Sequence, residues 1–122
     1  MADAPNLPQQ IQAYGGGAFR VSGVRFEGSV LIHADRTDSW SAGSIEEISA
    51  AAVAALIAGA APGVLVIIGC GRQFRPMPAA LRHELAAAGV HAEWMDTGAA
   101  CRTFNLLASE GREVRAALLA VD

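Results

Sequence analysis

The sequence predicts a single α/β domain in which short antiparallel strands precede a βαβ unit. Three observations support this prediction. Apolar and polar residues alternate between Phe19 and Ile32, as in strands that bury one face. Residues 64–68 form a β-branched run that is typical of a strand buried on both faces, and a helical segment and a second strand follow it. The chain of 122 residues is also long enough to bury one core without disulfide or metal support.

The N-terminal half predicts a short antiparallel meander. Residues 19–32 predict two or three short strands, with tight turns at Gly23 and Gly28. Residues 35–41 are predicted to be a polar loop in which the ring of Trp40 covers the edge of the core.

The first helix is predicted from a capping box, because Ser44 is followed three residues later by Glu47. Gly59 is predicted to end this helix, and Pro62 and Gly63 to turn the chain into the β-branched strand. One apolar face is expected to pack on the core, formed by Ile45, Ile48, Ala52, Val53, Leu56 and Ile57.

The second half of the sequence predicts the βαβ unit. Pro78 suits the first turn of a helix that buries Leu81 and Leu85 and ends at Gly89. Residues 90–95 predict the second, parallel strand. A last helix is expected from about Gly98 to Glu110, with Gly111 at its C-terminal cap. Residues 114–121 fit a closing strand or a further helical piece, and we favour the strand.

The composition disfavours several classes of protein. The net charge is −3, and the nine basic residues are all arginines spread along the chain, so no clustered basic face and no nucleic-acid partner are expected. The two cysteines lack a CxxC spacing and there is no HExxH motif, so neither a metal site nor a cofactor is expected. The N-terminus has no features of a secretory signal, which predicts a cytoplasmic location.

Two further stretches bear on domain organisation. Residues 1–13 are predicted to be a partly ordered lead-in, and residues 14–122 the folded domain. Residues 48–71 carry no charge and are long enough to span a bilayer, but Pro62 and Gly63 interrupt them. A helix followed by a buried strand explains them better than a transmembrane span.

The candidate site lies where the two parallel strands end. Loops that leave the carboxyl ends of parallel strands meet at one edge of the sheet, which is the usual ligand position in open α/β folds. Here those loops are residues 69–76 and 96–98, so glycines, arginines and the start of a helix are expected to be neighbours. The residues predicted to bind a ligand or partner are Gly69, Gly71, Arg72, Arg75, Asp96, Thr97, Cys101, Arg102, Phe104, Asn105, Glu110 and Arg112.

Three interpretations of this edge remain open at the level of sequence. Gly69-x-Gly71 followed by Asp96 is similar to a dinucleotide fingerprint, although Phe74 stands where the third glycine belongs. A small anion is the second candidate ligand, held by Arg72, Arg75 and Arg102 and by the amides at the helix start.

The third interpretation is thiol chemistry at the same edge. Cys101 lies in the first helical turn beside Arg102, a setting that lowers a thiol pKa, and Cys70 could approach it. Inert packing of both cysteines is the favoured alternative. Asn105, in mid-helix, is expected either to bridge to the loop at residues 69–72 or to face water.

Four segments carry a resemblance to a known family: RFEG at residues 25–28, IGCG at 68–71, DTGAACRTFN at 96–105 and EGR at 110–112. On these residues the chain resembles the Mth938-like (DUF498) family, over about residues 14–122. The family includes the mitochondrial respiratory complex I assembly factor 3, and bacterial relatives are often encoded near protein-translocation components. Cys70 departs from the family's more usual threonine.

The resemblance implies a three-layer α/β fold with a mixed central sheet and a non-catalytic role. We therefore expect a domain that binds a protein partner during assembly of a respiratory or translocation complex, at the inner membrane and without spanning it. A monomer or weak homo-oligomer is expected. The alternative is a small anion- or nucleotide-binding protein, or an enzyme, that uses the same edge. Docking is preferred because no acid–base or nucleophile–base pair emerges from the sequence.

Overall fold

A computed structural model describes residues 9–122 of the chain. The strands are β1 (Ile11–Gly15), β2 (Ala18–Val21), β3 (Val24–Glu27), β4 (Ser29–Ile32), β5 (Thr37–Trp40), β6 (Leu65–Gly69), β7 (His91–Met95) and β8 (Val114–Leu118). The α-helices are α1 (Ala50–Ala54), α2 (Ala79–Ala87) and α3 (Thr97–Ser109), and 3-10 turns occupy Ile45–Glu47 and Ala55–Ile57.

The predicted α/β fold is confirmed, with a mixed five-stranded sheet in the order β5-β4-β8-β6-β7. Strand β6 is parallel to β7 and β8, whereas β4 is antiparallel to β5 and β8. Helices α1 and α2 share one core with this sheet. On the other face, α3 shares a second core with the antiparallel sheet β1-β2-β3. The molecule therefore has three layers.

The central position of β6 follows from its composition. Val66 and Ile68 are buried in the core beneath α1 and α2, whereas Ile67 is buried in the core beneath α3. A strand between two apolar layers needs apolar side chains at every position. Each fully buried aliphatic side chain contributes about 1.5–3 kcal/mol, so this strand is a large share of the stability. The predicted parallel βαβ unit is confirmed.

The closing segment is a strand, as favoured from the sequence. All five residues of β8 are buried, and the strand lies between β4 and β6. Alanine at positions 116 and 117 faces the two different cores. Small side chains on both faces of β8 allow the helices to approach the sheet closely. Because both faces of this strand are buried, its sequence does not alternate between apolar and polar residues, and its periodicity was therefore ambiguous.

The first helix differs from the prediction because it is broken in two. Ile48 is extended (φ −72°, ψ 116°) and separates the 3-10 turn Ile45–Glu47 from α1. Ser44 makes no capping hydrogen bond; the Oγ atom of Ser49 caps α1 instead by accepting from the Ala52 amide at 3.3 Å. A second serine therefore competes successfully as the cap. The predicted apolar residues Ile45, Ile48, Val53 and Leu56 are nevertheless buried.

Two other boundaries need correction. Residues 35–41 do not form a loop throughout, because Thr37–Trp40 pairs with β4 as an edge strand, and an edge strand tolerates polar residues on its outer side. Trp40 is buried in the core, as expected. Residues 11–13, predicted to belong to the lead-in, form the start of β1. Residues 1–8 of that lead-in lie outside the described residues.

No helix in residues 9–122 combines the length and the apolar character that crossing a bilayer requires. The uncharged stretch at residues 48–71 consists of short helical turns and β6, with Gly59 and Gly63 in left-handed conformations between them. A turn at this position divides the apolar stretch, as predicted.

Candidate functional site

The two loops that follow β6 and β7 are in direct contact, as predicted. The Cys70 amide donates to Met95 O (2.8 Å), and the Thr97 amide donates to Gly71 O (2.8 Å). We call residues 69–75 and 96–102, at this edge of the five-stranded sheet, the C-terminal edge. It contains eight of the predicted site residues, namely Gly69, Gly71, Arg72, Arg75, Asp96, Thr97, Cys101 and Arg102.

Asp96 begins α3 at the C-terminal edge. Its carboxylate accepts from the Ala99 amide at 2.9 Å, and its backbone is extended (φ −63°, ψ 159°), as is usual for a residue that caps a helix. An anionic side chain at this position also interacts favourably with the positive end of the helix dipole. The carboxylate therefore already occupies the position that an anionic ligand would need at this helix start.

Thr97 joins three elements at this edge and is completely buried. Its hydroxyl donates to Leu119 O (2.8 Å), just after β8, and accepts from the Gly71 amide (3.1 Å), just after β6. These bonds satisfy buried backbone groups that would otherwise cost about 1–3 kcal/mol each. Thr97 is thus a structural joint between α3 and two strand ends.

Gly69 is required for close packing at the joint. A Cβ atom built on Gly69 would lie 2.9 Å from Thr97 Cα and 3.1 Å from Leu118 Cδ2. There is consequently no space between the end of β6 and α3 for a pyrophosphate. Helix α2 begins only at Ala79, so its N-terminus follows a long loop. The interpretation as a dinucleotide fingerprint is therefore wrong, because the glycine serves packing and the helix begins too late.

Tyr14, on the three-stranded sheet, covers the start of α3. The hydroxyl of Tyr14, on β1, lies 2.6 Å from the position that a Cβ atom on Gly98 would take. Gly98 therefore allows the three-stranded sheet to approach the helix start.

A cleft of about 320 Å³ remains open on the side of the C-terminal edge that faces the 3-10 turn Ile45–Glu47. Arg72 and Arg75 line it, together with Ser44 and Gln73, whereas Arg102 is not among its lining residues. Arg72 and Arg75 therefore share this cleft without Arg102, so the three arginines do not converge there. The described residues that line the cleft include no histidine or carboxylate, so Cys70 has no general base there.

The two cysteines do not form a reactive pair. Cys70 is buried in the core beneath α1 and α2, and Cys101 is buried in the core beneath α3, on opposite faces of the sheet. Burial raises the pKa of the Cys101 thiol to about 12, and the neighbouring Arg102 offsets only part of this effect. The prediction that the helix start lowers this pKa is wrong, because desolvation is the larger effect.

Asn105 does not reach the loop at residues 69–72. Its side-chain amide donates to Ile11 O (2.8 Å), and its carbonyl oxygen accepts from the Ile11 amide (2.8 Å). One side chain therefore satisfies both backbone groups of Ile11 and attaches β1 to α3. The alternative of full exposure to water is also wrong. This contact holds β1 against α3, although the apolar pattern predicted no strand before Phe19.

The remaining predicted residues lie away from the C-terminal edge. Phe104 is buried in the core beneath α3. Glu110 and Arg112 follow the C-terminal end of α3, where the Gly111 and Arg112 amides donate to Ala108 O and Leu107 O. A helix of 13 residues is about 20 Å long, so these two residues lie at the opposite end of the layer from Asp96.

Sequence analysis missed two features. Phe74 is 60% exposed, and the loop that carries it is fixed by a hydrogen bond from Trp94 Nε1 to Arg75 O (2.6 Å). Arg115 is buried within β8. An arginine inside an otherwise apolar strand was a visible signal for the second feature. No cluster of three or more His, Cys, Asp or Glu side chains suited to a metal ion occurs in residues 9–122.

The fold and this edge define a small three-layer α/β domain whose parallel strand ends are closed by a helix joint. Residues 11–119 match the family described as protein of unknown function (DUF498/DUF598), and the chain belongs to this family. It is 41% identical over 109 residues to an uncharacterised protein of Rhodobacter capsulatus, covering 89% of this chain and 82% of that protein.

A second relative is NADH dehydrogenase [ubiquinone] 1 alpha subcomplex assembly factor 3 of Bos taurus, 33% identical over 115 residues. The match covers 93% of this chain but 61% of the bovine protein. Among solved structures, an outer membrane protein from Bartonella henselae is similar, with a TM-score of 0.83, 28% identity, and 96% and 98% of the two chains covered. A Mth938-like domain from Bordetella pertussis has a TM-score of 0.75 and 30% identity, over 98% and 90%.

Proposed function

We propose that this chain is a non-catalytic protein-binding domain that assists assembly of a membrane-bound respiratory or translocation complex. In this role it is a cytoplasmic protein that associates peripherally with the inner membrane. The likeness to the bovine assembly factor supports the proposal, although the chain spans 61% of that relative. The cleft at the C-terminal edge also supports binding over catalysis, since its described lining offers no acid–base pair.

The observation that carries the proposal is the exposure of Phe74 on a fixed loop. Phe74 is a large apolar side chain that is 60% exposed, and its contact with water is unfavourable. Burial of this ring against a partner would therefore contribute to the free energy of binding. The loop is attached at both ends, by the Cys70 amide to Met95 O and by Trp94 Nε1 to Arg75 O. Little conformational entropy is therefore lost when a partner packs against Phe74, which favours affinity.

Two arginines lie close to Phe74 in the sequence and suit the same interface. Arg72 and Arg75 are both exposed, and aromatic residues with arginine are the residue types enriched in binding hot spots. The ion pair between Arg75 and Glu46 spans 3.7 Å with both side chains largely exposed, so it holds Arg75 only weakly. The partner surface is expected to offer an apolar pocket with carboxylates at its rim.

Helix α3 offers a second exposed patch. Arg102, Leu106 and Ser109 follow a spacing of four and three residues along its outer side, and Leu106 is 59% exposed. Because the helix starts at the C-terminal edge, this stripe extends from that edge toward the opposite end of the molecule. We include it in the proposed docking surface as a weaker contact.

The test is affinity capture from detergent-solubilised membranes of the native host with the purified chain as bait. Phe74→Ser is expected to reduce recovery of membrane-complex subunits by at least about tenfold, because an interface hot spot contributes about 2 kcal/mol or more. Its melting temperature should stay close to that of the parent chain, because an exposed side chain contributes little to folding.

The matched control is Val24→Ser, which removes an apolar side chain of similar exposure (55%) from the distant strand β3. Leu106→Ser reports on the helix stripe separately. Asn105→Ala is unsuitable as a docking probe, since it detaches β1 and lowers stability. Equal recovery of the same subunits by the parent, Phe74→Ser and Leu106→Ser chains would contradict the proposed surface.

A further inference from the structure

A second cleft, of about 320 Å³, lies at the edge of the sheet opposite the C-terminal edge, where β8 begins. We call it the Arg115 cleft. It is bounded by the segment that follows β4, by the end of α3 and by the first residues of β8. Phe104 and Ala108 contribute apolar wall, and the polar side chains that line the cleft are Gln9, His33, Asp35, Arg112, Glu113 and Arg115.

Arg115 is the unusual member of this lining. Its side chain is only 9% exposed, yet its hydrogen bonds within residues 9–122 all come from Nη1, to Glu113 Oε2 (3.0 Å) and Val114 O (3.4 Å). Nε and Nη2 are not sealed from solvent, because the one sealed side-chain nitrogen or oxygen without a partner in the described part of the chain is Thr37 Oγ1. Within residues 9–122, Nε and Nη2 of this largely buried guanidinium therefore have no hydrogen-bond acceptor.

The described residues that line the Arg115 cleft supply no acceptor for Nε and Nη2 of Arg115. Burying a guanidinium is costly unless its N–H groups are bonded, whereas the two acids of the lining are well hydrated: Glu113 is 65% exposed and Asp35 is also exposed. Arg112 adds a second positive charge on the rim and forms no ion pair with a residue of the described chain. His33 is held by its Nε2 atom against Asp38 Oδ2 (3.0 Å).

We propose that the Arg115 cleft binds a short-chain aliphatic monocarboxylate. A carboxylate matches the planar fork of Nε and Nη2, and Arg112 supplies a second donor group. A hydrocarbon tail would pack on Ala34 and Gly111, which are exposed, above the buried side chains of Phe104 and Ala108. Asp35 and Glu113 flank the entrance and repel dianions more strongly than monoanions, so a carboxylate is favoured over phosphate.

The site is independent of the proposed docking surface. It lies at the C-terminal end of α3, whereas the Phe74 loop lies beside the N-terminal end, about 20 Å away along the helix. A ligand here would leave the C-terminal edge accessible. Loss of carboxylate binding at this cleft and loss of partner capture at the Phe74 loop are therefore separate outcomes, measured with separate variants.

The test is a titration of the ¹⁵N-labelled full chain with sodium butyrate, followed by amide chemical shifts, with sodium chloride at matched ionic strength as reference. Saturable shifts are expected at residues 33–35 and 112–115. Arg112→Gln should weaken binding by about tenfold, as for loss of one charge-assisted hydrogen bond. Arg82→Gln is the matched control, an exposed arginine on α2 that lines a different cleft, and should leave the affinity unchanged.

Arg115→Lys keeps the charge but removes the planar fork, and it should weaken butyrate binding as well. If Arg115→Lys fails to fold, the Arg112→Gln titration and parallel titrations of the parent chain with phosphate and methylammonium still test the proposal. The proposal is overturned by shifts that do not saturate, by shifts centred elsewhere, or by equal affinity in Arg112→Gln. Phosphate or methylammonium binding at residues 112–115 as tightly as butyrate would overturn it too.

Discussion

The two ends of α3 use polar groups in opposite ways. At its N-terminal end, Asp96 caps the helix, and the Thr97 hydroxyl bonds to both neighbouring strand ends. At its C-terminal end, the chain buries Arg115 beside a cleft and leaves Nε and Nη2 without partners in the described residues. The end that carries the glycine-rich segment thus satisfies its buried polar groups within the fold, whereas the other end leaves two nitrogens of a largely buried guanidinium without a partner in the described residues.

This difference shows what glycines and helix starts mean in this fold. In dinucleotide-binding folds, a glycine at a strand end leaves room for a ligand. Here Gly69 leaves room for Thr97, and the helix occupies the place of the ligand. The same residue types therefore serve a joint, and only the contacts distinguish the two uses. Four predictions test how closely this edge is packed.

The largest expected effect concerns the reactivity of Cys101. At pH 9 an ordinary thiol with a pKa of 9.0 is half ionised, whereas a thiol with a pKa of about 12 is ionised to roughly one part in a thousand. Alkylation of Cys101 by iodoacetamide in the folded protein should thus be several hundred-fold slower than in a thiol peptide. Peptide mass spectrometry measures the rate, with the urea-unfolded chain as control.

The same thiol gives a sign for the pH dependence of stability. Its folded-state pKa is raised above the unfolded value of 9.0, so the stabilisation is present below pH 9 and is lost as the pH rises from 9 toward 12. Cys101→Ala should flatten this decline in urea-unfolding experiments. Rapid labelling of Cys101 in the native chain would show that the edge opens.

The next largest effect is expected for Gly69→Ala. The new Cβ atom would meet the backbone of Thr97 at 2.9 Å, and backbone in a joint cannot move away cheaply. We expect a loss of about 3 kcal/mol in the free energy of unfolding, measured with urea. The control is Gly98→Ala, whose Cβ would have as its nearest neighbours the far ends of two side chains, Tyr14 Oη at 2.6 Å and Asp96 Oδ1 at 3.4 Å, rather than backbone. Because a partly exposed side chain can shift more easily than backbone, this substitution should change stability by less than about 1 kcal/mol. Equal effects of the two substitutions would mean that the joint is not closely packed.

A smaller effect is expected from removing the Thr97 hydroxyl. Thr97→Val keeps the shape but leaves the Gly71 amide and Leu119 O without this partner, at a cost of about 2 kcal/mol. Thr97→Ser keeps the hydroxyl and loses one methyl group, at a cost of about 1 kcal/mol. Urea unfolding of both variants separates hydrogen bonding from packing. A larger loss for serine than for valine would assign the joint to packing alone.

The sequence by itself determined most of the framework. The β-branched run of β6, the helix signals at Pro78, Gly89 and Gly111, and the alternating pattern from Phe19 all act locally, through side-chain period and backbone preference. They also fixed which strand ends meet, because two parallel strands joined by a helix must end at the same edge. The adjacency of Gly69 and Thr97 was therefore predictable.

Only the tertiary structure decided how that adjacency is used. Whether Asn105 meets the loop or β1, whether Cys101 is activated or buried, and whether Arg102 joins Arg72 depend on contacts between residues distant in sequence. The same holds for Ser49 over Ser44 as the helix cap, since both serines satisfy the local pattern. Local sequence patterns specify each helix or strand. The desolvation and the hydrogen-bond partners of a side chain depend instead on the elements that pack against it, and they decide its pKa and its reactivity.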